Sequence, residues 1–396
     1  MIKYKILILS FYYSPDLSAC SFRTSALIKA IQEVSDNNIS LKVLTTKPHR
    51  YHSFTRKAPS IEEQSNLLIK RFELPEHKGG FLDQTKAFLA FARQAQKEAK
   101  GDNYNLIFAT SSRLMTAALG AYLSKQLGSN LYLDIRDIFV DTIKDVLSPP
   151  FSWILVPIFS FIEKYTINQA QKVNLVSRGF EQYFKKRYPK QNFSFFTNGI
   201  DNEFIRLAKK HKDNSALTQK KKDKITVVYA GNIGDGQGLH HIVPKLAQKM
   251  PNLFFKIIGE GGKRQELENA IQTSGIKNVS IEAPMVRAEL IKEYEQADIL
   301  FLHLNDFSAF KKVLPSKIFE YAAMGKPIWA GVAGYAAQFI EKEIENAAVF
   351  YPCNVNEALK TFNKLDLKYI PRNAFIEQYR RNNIMTKMAK DILQFL

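Results

Sequence analysis

Short apolar runs rich in Val, Ile, Leu and Phe alternate along this chain with longer stretches in which apolar positions return every third or fourth residue. The runs are bounded by polar or turn-forming residues, and their length suits strands rather than helices. They fall at residues 5–10, 41–45, 67–72, 106–109, 131–134, 172–176 and 193–196, then at 225–230, 254–258, 279–282, 299–303, 328–330 and 347–351. Most are apolar at consecutive positions, as expected of strands covered on both faces, and the stretches between them leave room for crossover helices. The pattern predicts an α/β chain with two doubly wound, Rossmann-like parallel sheets. Between the halves, the Lys-rich stretch 209–222 cannot bury itself and reads as a linker or surface loop, with a domain boundary near 200–222. The last residues, 373–396, have helical periodicity through Phe375, Ile376, Tyr379, Ile384, Met388, Ile392 and Leu393.

Three segments of the second half carry candidate chemistry. The run 225–230 leads into Gly231-Asn232-Ile233-Gly234-Asp235-Gly236-Gln237-Gly238, and 254–258 leads into Gly259-Glu260-Gly261-Gly262-Lys263-Arg264. Glycines after a buried strand let the backbone approach a diphosphate, or simply make a tight turn. Lys263 and Arg264 read as phosphate-binding cations or as solvated first-turn residues. The third segment runs from Leu314-Pro315-Ser316-Lys317 to Glu320 and on to Gly325-Lys326-Pro327. It predicts a short helix with Pro315 at its first position and Gly325 in the left-handed residue after its end. The free N–H groups at such a start attract an anion, and Glu320 one turn in is placed to chelate a vicinal diol; the alternative is a buried, ion-paired glutamate.

In the first half, Asp134-Ile135-Arg136-Asp137 ends a strand. Asp134 and Arg136 suit a structural ion pair and Asp137 a helix cap, unless Asp137 faces a ligand. The loop after the first strand offers Ser18, Ala19 and Ser21, with Arg23 facing a phosphate or the acceptor, unless the segment is an ordinary loop and helix start.

Segment 314–331 resembles the nucleotide-sugar signature of family 4 retaining glycosyltransferases, especially a Pro-Ser-Lys subgroup that builds bacterial surface polysaccharides such as capsule and O-antigen. The likeness is strongest from about 225 to 331. It implies the GT-B fold: an acceptor-binding domain at 1–200, a nucleotide-sugar-binding domain at 201–375 facing it across a cleft, and a helix at 376–396 that returns to the first domain. It implies a donor, a UDP-sugar, held by Gly231, Asn232, Gly234, Gly261, Lys263, Arg264, Pro315, Ser316, Lys317 and Glu320, with Asp137, Lys317 and Glu320 at the reacting centre. Thr197-Asn198-Gly199-Ile200-Asp201 matches the family at its domain crossing, or is only a tight turn. Two departures stand out. Asp235 and Gln237 occupy a region where relatives often carry a cation, and Lys312 stands where many have a first glutamate, leaving the amides of 313–316 to hold sugar and phosphates.

Net charge is +18, of which residues 1–200 carry +11. That surplus draws the chain toward polyanions. With Lys86, Arg93, Lys97 and Lys100 recurring at helical spacing, Lys185-Lys186-Arg187, and the apolar run 151–162, it suggests a face resting on an anionic membrane beside a lipid-linked acceptor, or a solvated helix face. No run reaches the ~20 apolar residues needed to span a bilayer, and the apolar start continues into Phe11-Tyr12-Tyr13 without a cleavage site. Cys20 and Cys353 have no metal-ligand spacing. The expectation is a cytoplasmic, peripheral, metal-independent transferase with no cofactor beyond its donor. An epimerase of the same fold is the alternative, and a nucleic-acid-binding protein fits less well because no binding motif accompanies the charge.

Overall fold

The computed structural model describes residues 3–36, 38–48, 57–75, 81–111, 114–146, 149–213 and 224–396. The chain divides into two compact units, Met1–Asn198 with Asn382–Leu396, and Gly199–Arg381.

The first unit is built on β1 (Tyr4–Leu9), β2 (Ile39–Thr46), β3 (Ile61–Gln64), β4 (Leu67–Phe72), β5 (Leu106–Ser111), β6 (Asn130–Ile135), β7 (Lys172–Leu175) and β8 (Phe193–Ser194), in the order β3-β4-β2-β1-β5-β6-β7-β8. Central strands such as β5 are buried at every position because helices cover both faces. The edge differs. β3 pairs antiparallel with β4, and its Ile-Glu-Glu-Gln sequence, with Ile61 exposed, has no apolar pattern to betray it.

At the centre of this unit Arg23 is fully buried and grips Asp134 with both ends of its fork, Nε to Oδ2 at 2.9 Å and Nη2 to Oδ1 at 3.0 Å. It also donates to the carbonyls of Phe196 and Thr197. This corrects two expectations: Arg23 faces the interior rather than a ligand, and the ion-pair partner of Asp134 is Arg23, brought from a distant helix, rather than its neighbour Arg136. The stretch 373–396 is two helices. Asn373–Gln378 buries Phe375 and Ile376 in the second unit's core, while Arg381–Leu393 lays Met385, Met388, Ala389 and Ile392 on the first sheet beside Ile6, Ile8 and Tyr132.

The second unit holds β9 (Ile225–Ala230), β10 (Leu253–Ile258), β11 (Val279–Glu282), β12 (Ile299–His303), β13 (Ile328–Gly331) and β14 (Ala347–Phe350), all parallel in the order β11-β10-β9-β12-β13-β14. The order reverses between β9 and β12, and the crevice outside the carboxyl ends of strands at such a reversal is where doubly wound sheets bind ligands. Of the stretch expected to be linker, residues 209–213 finish the helix Asn202–Asp213, since its first two turns bury Phe204, Ile205 and Ala208. The rest of it, 214–222, lies outside the described residues.

Candidate active site

At the reversal point the two glycine loops lie against each other. Gly231 N–H donates to the Ile258 carbonyl (3.0 Å), Ile233 N–H to that of Glu260 (2.9 Å) and Lys263 N–H to that of Ile233 (2.9 Å). This backbone contact explains the glycines. A Cβ on Gly259 would stand 1.8 Å from the Gly231 carbonyl oxygen, and one on Gly261 would stand 2.5 Å from that of Ile233. Asn232, with its amide turned to satisfy both neighbours, donates to the Glu260 carbonyl (3.2 Å) and accepts from Gly234 N–H (3.3 Å). Gly236 faces the Phe310 ring and has no space for a side chain. His303, at the end of β12, holds the Gln237 carbonyl at 2.7 Å, and Asn305 donates to the Asp235 carbonyl. The loop 231–238 is thus set rigidly by β10 on one side and β12 on the other.

The expected loop cations are already engaged. Lys263 pairs with Glu266 across one helical turn at 2.6 Å. Arg264 binds Glu268 and donates to the carbonyls of Gly259 and Glu282, clamping its loop to the end of β11. That clamp engages Nε and Nη1 of the Arg264 guanidinium within the protein.

The short helix is Lys317–Ala323, and Gly325 takes the left-handed conformation (φ 67°) after it. Pro315 lies before the helix rather than at its first position, because the turn opens with tighter bonds, Ile318 N–H to the Pro315 carbonyl and Phe319 N–H to that of Ser316. Ser316 makes no side-chain cap. Of the amides at 313–316, that of Val313 is spent on the Phe310 carbonyl and Pro315 has none, which leaves Leu314 and Ser316. The helix is moored beside β9 by Tyr321, whose hydroxyl accepts from Ala230 N–H, one residue before Gly231.

Glu320 is 7% exposed yet ionically held. Lys317 Nζ reaches its Oε2 at 2.9 Å and also touches the Tyr294 hydroxyl, and Arg287 Nη1 lies 3.8 Å from Oε1. Burial works against the Lys317 charge, but the Glu320 carboxylate outweighs it and keeps the ammonium pKa above its ordinary value. Arg287 likewise stays charged against burial, held by Glu320, Asp201 and Glu203. Asp201 in turn binds Arg381. Sequence reading brought Lys317 and Glu320 together and missed Arg287, which arrives from the start of the helix Arg287–Gln296 and carries no local signal. In the first unit Asp137 is exposed, just before the helix Phe139–Val146. Among the described residues no group of three or more His, Cys, Asp or Glu side chains is arranged to hold a metal ion.

Residues 210–382 match the family described as glycosyl transferases group 1. The chain carries a group 1 glycosyl transferase domain. WcaI of Escherichia coli (strain K12), named as a colanic acid biosynthesis glycosyl transferase, is 23% identical over 348 residues, 81% of each chain. Among solved structures, sucrose-phosphate synthase from Thermosynechococcus elongatus superposes with a TM-score of 0.75 at 14% identity over 99% of each chain. HepE of Anabaena, solved with UDP-glucose, gives 0.66 at 16% identity over the whole of both. The architecture is therefore that of GT-B glycosyltransferases, and the glycosyl transferase domain contains every donor-site candidate named above in its second unit, the run from Gly231 to Glu320.

Proposed function

We propose that the chain transfers a sugar from a uridine diphosphate donor to an acceptor hydroxyl in bacterial surface-polysaccharide assembly, with retention at the sugar carbon and without a resident metal ion. The observation that carries this is Glu320: a carboxylate buried beside the sheet's reversal point, on a short helix opening with Leu314 and Ser316 N–H groups that have no backbone partner among the described residues. A carboxylate has about four lone-pair sites. Lys317 engages one on Oε2 and Arg287 stands 3.8 Å from Oε1, so the others are placed to accept from the two ribose hydroxyls. The amides of Leu314 and Ser316 then face the diphosphate, and Lys317 and Arg287 add positive charge near the leaving group, where it counts most as charge develops. In the transfer the bond from sugar carbon to phosphate oxygen breaks as the acceptor oxygen bonds on the same face. The acceptor proton passes to the departing phosphate oxygen, so no carboxylate nucleophile is required. Asp137 is the candidate to orient the sugar or acceptor. The family match, the polysaccharide name of WcaI and the UDP-glucose in HepE all favour this reading. Its acceptor is a lipid-linked glycan, and the chain works as a peripheral protein at the cytoplasmic face of an anionic membrane.

Titration calorimetry with UDP tests the donor assignment. Wild type is expected to bind, and Glu320→Gln to weaken binding at least tenfold, about 1.4 kcal/mol, with an unchanged circular dichroism spectrum. Absence of UDP binding by wild type, or equal binding by a folded Glu320→Gln, overturns it.

A further inference from the structure

The helix Pro149–Gln169 presents its most apolar side to solvent. Phe151, Trp153, Ile154, Ile158 and Phe161 are 66, 76, 66, 49 and 74% exposed. Positions 151, 154, 158 and 161 fall on one helical face, with Trp153 at its margin. The opposite side buries Ser152, Phe159, Glu163, Thr166 and Ile167. A surface helix ordinarily shows the reverse arrangement, and contiguous apolar surface of this kind marks an interaction site.

The charge around the patch says what covers it. The apolar face ends at exposed Lys164. One residue before it, buried Glu163 accepts from the hydroxyls of Tyr188 (2.8 Å) and Tyr183 (3.1 Å) and lies 3.7 Å from Arg187. This pin, on the buried side of the helix, fastens the helix Glu181–Arg187 against it, and Lys185, Lys186 and Arg187 of that neighbouring helix are all exposed. Glu181 offsets Lys185, whereas Lys164, Lys186 and Lys190 pair with no acid among the described residues. A second copy docked on the same face would set these cations against their own kind. No helix of the described residues is long and apolar enough to cross a membrane. The helix Phe81–Ala99 exposes Lys86, Arg93 and Lys97 but buries Phe88, Ala92 and Ala95, so it offers charge and little apolar surface.

We propose that the helix Pro149–Gln169 docks the chain on an anionic bilayer, laying Phe151, Ile154, Ile158 and Phe161 with Trp153 into the boundary between headgroups and acyl chains, while Lys164, Lys186 and Arg187 meet lipid phosphates. Interfacial helices seat their apolar face at this boundary, and basic residues near an anionic surface strengthen the attachment. The inference deepens the membrane part of the proposed function and rests on that part; it is independent of the donor.

The test is flotation of the full chain with vesicles of phosphatidylglycerol and phosphatidylethanolamine, and with neutral phosphatidylcholine vesicles. Wild type is expected to float with the anionic vesicles, and its fluorescence to shift to the blue. Trp153 reports that shift, since the other tryptophan, Trp329, is already fully buried. The double variant Phe151→Ser, Phe161→Ser is expected to partition at least tenfold more weakly with unaltered UDP affinity, and Lys164→Glu, Lys186→Glu to lose the preference for anionic lipid. Wild type bound to neither vesicle overturns the membrane reading together with this element. Wild type bound, with the Phe variant bound equally and no Trp153 shift, overturns this element alone. A concentration-dependent dimer that the Phe variant abolishes, without vesicle binding, assigns the face to a second copy and also overturns it.

Discussion

His303 is wholly buried at the end of β12. Its Nε2 accepts Cys353 N–H at 3.0 Å, so Nδ1 carries the proton and donates to the Gln237 carbonyl at 2.7 Å. The fold thereby selects one neutral tautomer, and burial, the largest effect, lowers the pKa to about 4. An unfolded histidine titrates near 6.5. Below that value the unfolded chain binds a proton that the folded chain refuses, so this contribution to stability is complete above about pH 6.5 and is lost as pH falls toward 4. The two pKa values together correspond to roughly 3 kcal/mol. Wild type and His303→Gln are expected to show thermal midpoints that differ more at pH 7 than at pH 4.5. A parallel pH dependence of the two would show that the fold leaves the pKa of His303 where it stands in the unfolded chain. The same residue holds the glycine loop from β12, a role that no spacing in the sequence announces because its partners lie far along the chain in both directions.

Among elements, the helix Lys317–Ala323 depends on a cation that no motif contains. Arg372 is buried and donates to the carbonyls of Ala322 (3.0 Å), Lys326 (2.9 Å) and Glu345 (2.8 Å), closing the helix end and the start of β13 with no carboxylate within ion-pair distance among the described residues. Burial, opposed by the charges of Glu345 and Tyr369, lowers its pKa to about 10, so it stays charged at neutral pH. Arg372→Met keeps the apolar stem and removes the fork. The expected cost is about 3 kcal/mol, from carbonyls left without partners, read as a lower urea midpoint at unchanged slope; a change below about 0.5 kcal/mol would show that water replaces the fork. This element also shows how far sequence reaches. Strands buried on both faces were legible because an unbroken apolar run admits few other structures, whereas β3, polar and on an edge, was not. The left-handed Gly325 was legible from its place after the helix. The helix start was not, because Pro315 fits equally well inside the first turn or just before it. The glycine loops were found, but their glycines serve contact between loops, which a single segment cannot disclose. Glu320 and Lys317 share a turn and could be paired by spacing, whereas Arg287, Arg372 and the grip of Arg23 on Asp134 exist only once distant segments have folded.

At the scale of the whole molecule, the chain passes between its units twice, after Asn198 and after Arg381. Within the second unit these passages run side by side. Ile200 N–H donates to the Tyr379 carbonyl (2.8 Å), Arg381 N–H donates to that of Ile200 (2.9 Å), and Asp201 binds the Arg381 guanidinium. Gly199 permits the approach, since a Cβ there would stand 2.7 Å from Arg381 Cα. Beyond Arg381 every contact described above belongs to the first unit. Met385, Met388 and Ile392 are fully buried on its sheet, Met388 Sδ lies 3.3 Å from Arg23, and Asp391 accepts from the Tyr132 hydroxyl at 2.7 Å. Each such apolar side chain contributes roughly 1.5–3 kcal/mol, a large share of the roughly 5–15 kcal/mol typical of a domain. A chain ending at Arg381 is therefore expected to keep its second unit intact and leave the first close to unfolding. Hydrogen exchange separates the two: amides of β1, β2 and β6 should lose protection while those of β9, β10 and β12 keep it, and the UDP binding proposed for the second unit should persist. Equal loss in both units would mean that the second draws its stability from the first, and no loss in either would mean that the terminal helix only covers a sheet already stable without it.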